Sequence, residues 1–103
     1  MLDTWGGRST FDYDWCVLAG TTIRYGKGSE ITVTVHDYEA LRAALRGQIV
    51  QVGTSRTSAP AGSLGAWLQA NVTRTAIASY VAPILVREGY AVREDDTSIR
   101  IVR

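Results

Sequence analysis

Cysteine, histidine and proline are nearly absent from this chain of 103 residues, which holds one cysteine (Cys16), one histidine (His36) and two prolines (Pro60 and Pro83). A lone cysteine excludes an internal disulfide, and with a single histidine it cannot complete a four-ligand zinc site. No apolar run approaches the ~20 residues of a membrane-spanning helix. The opening residues, Met1-Leu2-Asp3-Thr4-Trp5-Gly6-Gly7, lack the charged and apolar regions of a secretory leader, so a cytoplasmic protein away from the membrane is expected. Charge of one sign is also scarce, with a formal net charge of +1. Arg8, Arg24 and Lys27 face Asp3, Asp12, Asp14 and Glu30 early in the chain. Late in it, Arg74, Arg87, Arg93, Arg100 and Arg103 face Glu88, Glu94, Asp95 and Asp96. A phosphate-binding footprint can therefore come only from a few arginines clustered in space.

The usual catalytic patterns are missing as well. Cys16 and His36 have no nucleophile pattern around them, and Cys16 reads as a small buried hydrophobe in an apolar strand. Asp12 and Asp14 share a strand face, but two carboxylates do not make a metal site. Gly53-Thr54-Ser55-Arg56-Thr57-Ser58 offers amides, hydroxyls and one guanidinium that can cradle an anion. It lacks the Gly-Lys-Ser/Thr ending of a P-loop, so nucleotide hydrolysis is not indicated. The expectation is a protein without enzymatic activity, cofactor or metal.

What is present is ordinary apolar content, 46%, enough for one domain over residues 1–103 with a single core. Phe11-Asp12-Tyr13-Asp14-Trp15-Cys16-Val17 alternates aromatic with acidic residues, the period of a strand with one apolar face. Thr21-Thr22-Ile23-Arg24-Tyr25 and Glu30-Ile31-Thr32-Val33-Thr34-Val35 flank Gly26-Lys27-Gly28-Ser29 and read as a β-hairpin. A helix follows, capped by His36 or Asp37, with Tyr38, Leu41, Ala44 and Leu45 as its apolar stripe and Gly47 as its stop. Gln48-Ile49-Val50-Gln51-Val52 is a short strand, residues 53–62 are a polar connection, and Ser63 caps the next helix. Asn71-Val72 is a tight turn, after which a second helix starts at Thr73. A turn this short forces a steep crossing and leaves the second helix protruding. Pro83 interrupts that helix: it frees the carbonyl of Ser79 and is expected to kink or restart it. Two strands close the chain around Glu94-Asp95-Asp96-Thr97.

From residue 37 onward the order is helix, strand, helix, helix, strand, strand. With the turn Val72-Thr73-Arg74-Thr75-Ala76-Ile77, the helix exit Leu85-Val86-Arg87-Glu88-Gly89-Tyr90 and the closing hairpin as a wing, residues 37–103 resemble the winged helix-turn-helix family. The expected fold class is α+β: an N-terminal β-hairpin segment (1–35) followed by a winged-helix-like helix-strand-helix-helix-strand-strand unit (36–103). The resemblance implies a small duplex-DNA-binding protein, a dimeric transcriptional regulator. Thr73, Arg74, Thr75 and Ser79 would lie on the groove, with Arg56 and Arg93 on phosphates. Pro83 within the presumed recognition helix and the acidic wing tip depart from that pattern.

Two further readings stay open. Winged helices also serve as protein-interaction adaptors. Five of the nine aromatics, Trp5, Phe11, Tyr13, Trp15 and Tyr25, crowd into the first quarter of the chain. A helix-and-wing core can fold unaided, so these either fold back on it or form a homodimer or partner interface through Phe11, Tyr13, Trp15 and Tyr25. Alternatively, Trp15, Tyr25 and the Arg56 loop line a small-ligand cleft.

Overall fold

Alternation in the amino-terminal third produces a four-stranded antiparallel sheet in the computed structural model, which describes residues 1–103. Its strands are β1 (Leu2–Asp3), β2 (Thr10–Cys16), β3 (Gly20–Tyr25) and β4 (Ser29–Val33), hydrogen-bonded in that order. Side chains on one face, among them Phe11, Ile23 and Val33, are buried, while Asp14, Arg24, Glu30 and Thr32 face outward. Helix α1 (Val35–Leu45) begins earlier than the sequence suggests. Its cap is Thr34 rather than His36 or Asp37. The Thr34 hydroxyl accepts from the Asp37 amide at 3.1 Å, and the Asp37 carboxylate accepts from the Thr34 amide at 3.0 Å. This reciprocal box satisfies two amides at once and so fixes the start of the helix. Tyr38, Leu41 and Leu45 are buried as expected, whereas Ala44 lies on the solvent side.

The rest of the chain is β5 (Ile49–Gln51), α2 (Leu64–Asn71), α3 (Ala78–Arg87), β6 (Ala91–Arg93) and β7 (Ser98–Ile101). The strands form a second antiparallel sheet in the order β5-β7-β6, so the strand preceding both helices pairs with the last strand of the closing hairpin. The architecture is α+β, with three helices and two antiparallel sheets around one core. Ser63 caps α2 as expected, accepting from the Ala66 amide at 3.1 Å. Gly65 brings the first turn of α2 against the end of β5: its amide donates to the Val52 carbonyl at 2.8 Å. A Cβ at Gly65 would lie 1.9 Å from the Gly53 carbonyl oxygen, so no other residue fits there.

One expectation about α3 fails, that of its start. The helix starts at Ala78, not Thr73, and residues 72–77 form a longer turn. The Thr73 hydroxyl accepts from the Thr75 amide at 3.3 Å, a local bond that competes with helix. The β-branched Val72, Thr73, Thr75 and Ile77 add to that preference. Nor does Pro83 restart the helix. The Ser79 carbonyl it frees accepts instead from the Trp5 amide at 2.9 Å.

That contact is part of a broader covering. The Phe11 ring meets Tyr80 edge-on, with centroids 5.2 Å apart. Tyr13 donates to Glu88 Oε2 at 2.7 Å, and the Val17 amide donates to Glu88 Oε1 at 2.9 Å. Of the residues of α3, only Arg87 is fully exposed. The helix does not protrude; the aromatic amino-terminal sheet folds back over it. Cys16, expected to be buried, is exposed at the end of β2.

Candidate nucleic-acid interface

The residues singled out from the sequence separate into two groups. Gln69, on α2, uses its side-chain amide nitrogen to hold two backbone segments together. It donates to the Arg56 carbonyl at 3.0 Å and lies 3.4 Å from the Arg74 carbonyl. The Arg56 loop and the Arg74 turn are thereby fastened to one side chain. Ser55 Oγ stiffens the loop by accepting from the Thr57 and Ser58 amides at 3.3 and 3.0 Å. Asn71 closes α2 by donating to the Trp67 carbonyl at 2.9 Å. Arg56 and Arg74 are both exposed, and neither belongs to an ion pair.

Thr75 is exposed beside Arg74, while Thr73 and Ser79 are half-buried. Ile77 occupies the N-cap of α3 without a side-chain hydrogen bond, so no protein hydroxyl or carboxylate competes for its first amides. The partly buried Tyr80 lies in this first turn and stacks on Tyr25, with centroids 4.8 Å apart and planes at 27°. Burial, and then the Tyr25 phenol, push the Tyr80 hydroxyl above its ordinary value, while the nearby Arg56 charge draws it back in part.

Arg93 belongs elsewhere. Its guanidinium lies 4.1 Å from the Trp5 ring centroid, one nitrogen is 3.3 Å from the Trp5 carbonyl, and another is 3.6 Å from Asp96. Trp5 in turn donates its indole N–H to the Asp96 carbonyl at 2.6 Å. Arg93 thus holds the amino-terminal segment onto the turn end of the closing hairpin. At the tip of that hairpin Glu94, Asp95 and Asp96 are exposed. The Thr97 amide holds the Asp95 carboxyl below its usual range.

One signal in the sequence lies in the spacing of its acids. From Ala40 to Arg87 there is no acidic residue, yet the stretch carries Arg42, Arg46, Arg56, Arg74 and Arg87. Asp37 and Glu39 at one end, and Glu88 onward at the other, balance the totals and hide this gap. Gln69 and Tyr80 gave no signal, because their roles arise only when loop, turn and sheet meet.

Of the aromatic interface candidates, Phe11, Tyr13 and Tyr25 contact α3 or Glu88. Trp15 stands apart: it is 79% exposed and has φ of +70°, the only positive φ outside glycine. It borders an outer groove of about 420 Å³ with Ala19, Gly20, Thr22, Thr32 and Thr34. Trp15 pairs with Thr21, four positions from Tyr25 along β3, or about 13 Å. Trp15, Tyr25 and Arg56 therefore do not line one cleft.

No family model, curated protein or solved structure matches this chain. No cluster of three or more His, Cys, Asp or Glu residues is placed to hold a metal ion. No helix is long and apolar enough to cross a membrane.

Proposed function

We propose that this protein binds nucleic acid on a winged-helix-like scaffold in the cytoplasm, through the end formed by residues 53–58 and the 72–77 turn. The observation that carries the proposal is the apposition of two unpaired arginine-bearing segments, Arg56 and Arg74, by Gln69. The sheet order β5-β7-β6, and the helices between its first two strands in sequence, support the scaffold assignment. In this reading Arg56 and Arg74 neutralise phosphates, while Thr73, Thr75 and Ser79 supply hydroxyls and the uncapped first turn of α3 supplies amides. Contact is made by the end of α3 rather than along its length, because its sides are packed. Arg93, engaged with Trp5, contributes little. A homodimer would double this small footprint.

The test is fluorescence anisotropy with mixed-sequence DNA at low and at physiological salt. The wild-type chain should bind with a steep salt dependence. Replacing both arginines (Arg56→Ala with Arg74→Ala) should flatten the log–log salt slope by about 2. Absence of binding at low salt would refute the proposal.

A second reading is favoured by one specific feature, the exposed Trp15, with Leu18 three residues on also 63% exposed. An aromatic anchor of this kind suits a protein partner. Partner capture would then depend on Trp15 and be indifferent to Arg56 and Arg74.

A further inference from the structure

We infer that the nucleic acid held at the Arg56–Arg74 end is single-stranded, with an unstacked base continuing the aromatic column that ends at Tyr25. This rests on the nucleic-acid reading above and narrows it. The two elements that read a duplex in the resembling family are poorly disposed here. α3 is packed along its sides, and the turn of the hairpin that would serve as a wing carries Glu94, Asp95 and Asp96, of which Glu94 pairs with Arg100, Asp96 with Arg93, and Asp95 is left without a cation. Carboxylates at that tip would meet phosphates of like charge.

The Arg56 end offers different chemistry. Phe11, 3% exposed, meets Tyr80 edge-on, and Tyr80 stacks on Tyr25, so a column of three rings runs from the core to a partly exposed tyrosine. Tyr25 ends β3 and leads directly into the exposed Gly26-Lys27-Gly28 turn, which carries a third cation, Lys27. Asp12, Arg24 and Glu30 also border the open space beside Tyr25, with the Arg24 guanidinium set among the acids. Asp12 and Glu30 stand opposite Arg24 in the strand register, and Asp14 pairs with Arg24. A ring column flanked by a few cations suits a strand whose bases are free to stack, because a paired base offers its face only within the duplex. Three cations also match the phosphates of a short single strand better than the denser charge of a duplex.

The experiment compares one fluorescein-labelled DNA oligonucleotide of about twelve nucleotides, single-stranded and annealed to its complement, by anisotropy at low salt. The single strand should bind more tightly. Tyr25→Leu should weaken single-strand binding by about tenfold or more, and Tyr25→Phe, which keeps the ring, should stay within about twofold of wild type. Arg56→Ala, at an exposed position, should weaken it without disturbing the fold. Equal or tighter binding of the duplex would overturn the inference while leaving the nucleic-acid reading standing. So would a folded Tyr25→Leu variant with unchanged single-strand affinity. Failure of both forms to bind would overturn the inference together with that reading. The wild-type comparison decides the strand preference even if Tyr25→Leu loses its thermal transition.

Discussion

Glu88, just past the last turn of α3, ties the amino-terminal sheet to the helix through one carboxylate, which accepts from the Tyr13 hydroxyl and the Val17 amide. Burial, the hydrogen bond to Glu88 and the Glu88 charge push the Tyr13 phenol up to about 12 from an ordinary 10.0. A group whose pKa rises on folding holds its proton more firmly in the folded chain. Its stabilising contribution is therefore complete below pH 10 and disappears as the pH climbs to about 12. Tyr38, raised mainly by burial and bonded to Thr21 at 2.7 Å, titrates upward in the same sense. Resistance to urea should thus fall as pH rises from 10 towards 12, and Tyr13→Phe should flatten part of that fall. Equal pH profiles for variant and wild type would show that the Tyr13–Glu88 bond does not couple to folding. The alternation around Tyr13 was readable from the sequence. Its partner was not, because Glu88 lies far along the chain and its own neighbours give no hint of what it accepts.

At the scale of the element, α3 shows how a local rule can hold while its consequence changes. Pro83 does free the Ser79 carbonyl, as its missing N–H requires. The Trp5 amide takes that carbonyl, and the helix continues to Arg87. An interior proline is typically worth about 3 kcal/mol against alanine. Part of that penalty is offset here, since the carbonyl is already satisfied. Pro83→Ala should therefore stabilise the protein by only about 1–2 kcal/mol in urea unfolding. A gain of about 3 kcal/mol or more would mean that the Trp5 contact compensates for nothing. The caps divide along similar lines. Ser63 and Gly47 act where their residue types suggest. Thr34 displaces His36 and Asp37 because its box with Asp37 satisfies two amides, which a cap one turn later would leave open.

At the scale of the molecule, the two sheets share one core. Trp5, Phe11, Val17, Ile23 and Val33 from the amino-terminal third join Leu68, Ile84 and Ile101 in a single buried cluster. Residues 34–103 therefore do not bury a core of their own apart from the amino-terminal sheet. Without residues 1–33, the covered sides of α3 and the inner face of α1 would be exposed to water. A fragment of residues 34–103 should show no cooperative thermal transition by circular dichroism, whereas the full chain should melt in one step. A sharp transition in the fragment would show that the sheet is an accessory to an independent fold.

The sequence by itself determined the parts whose physics is local. Hydrophobic period, turn glycines and capping hydroxyls act over a few neighbouring residues, and they set the fold class and the order of elements from β2 onward, while the two-residue β1 and the start of α3 escaped them. Tertiary structure alone decided which surfaces remain open. It covered α3, left Trp15 exposed, committed Arg93 to Trp5 and brought Arg56 beside Arg74 through Gln69. These outcomes depend on where distant segments return in space, and that is settled by burying one shared core rather than by any residue's preference for its neighbours.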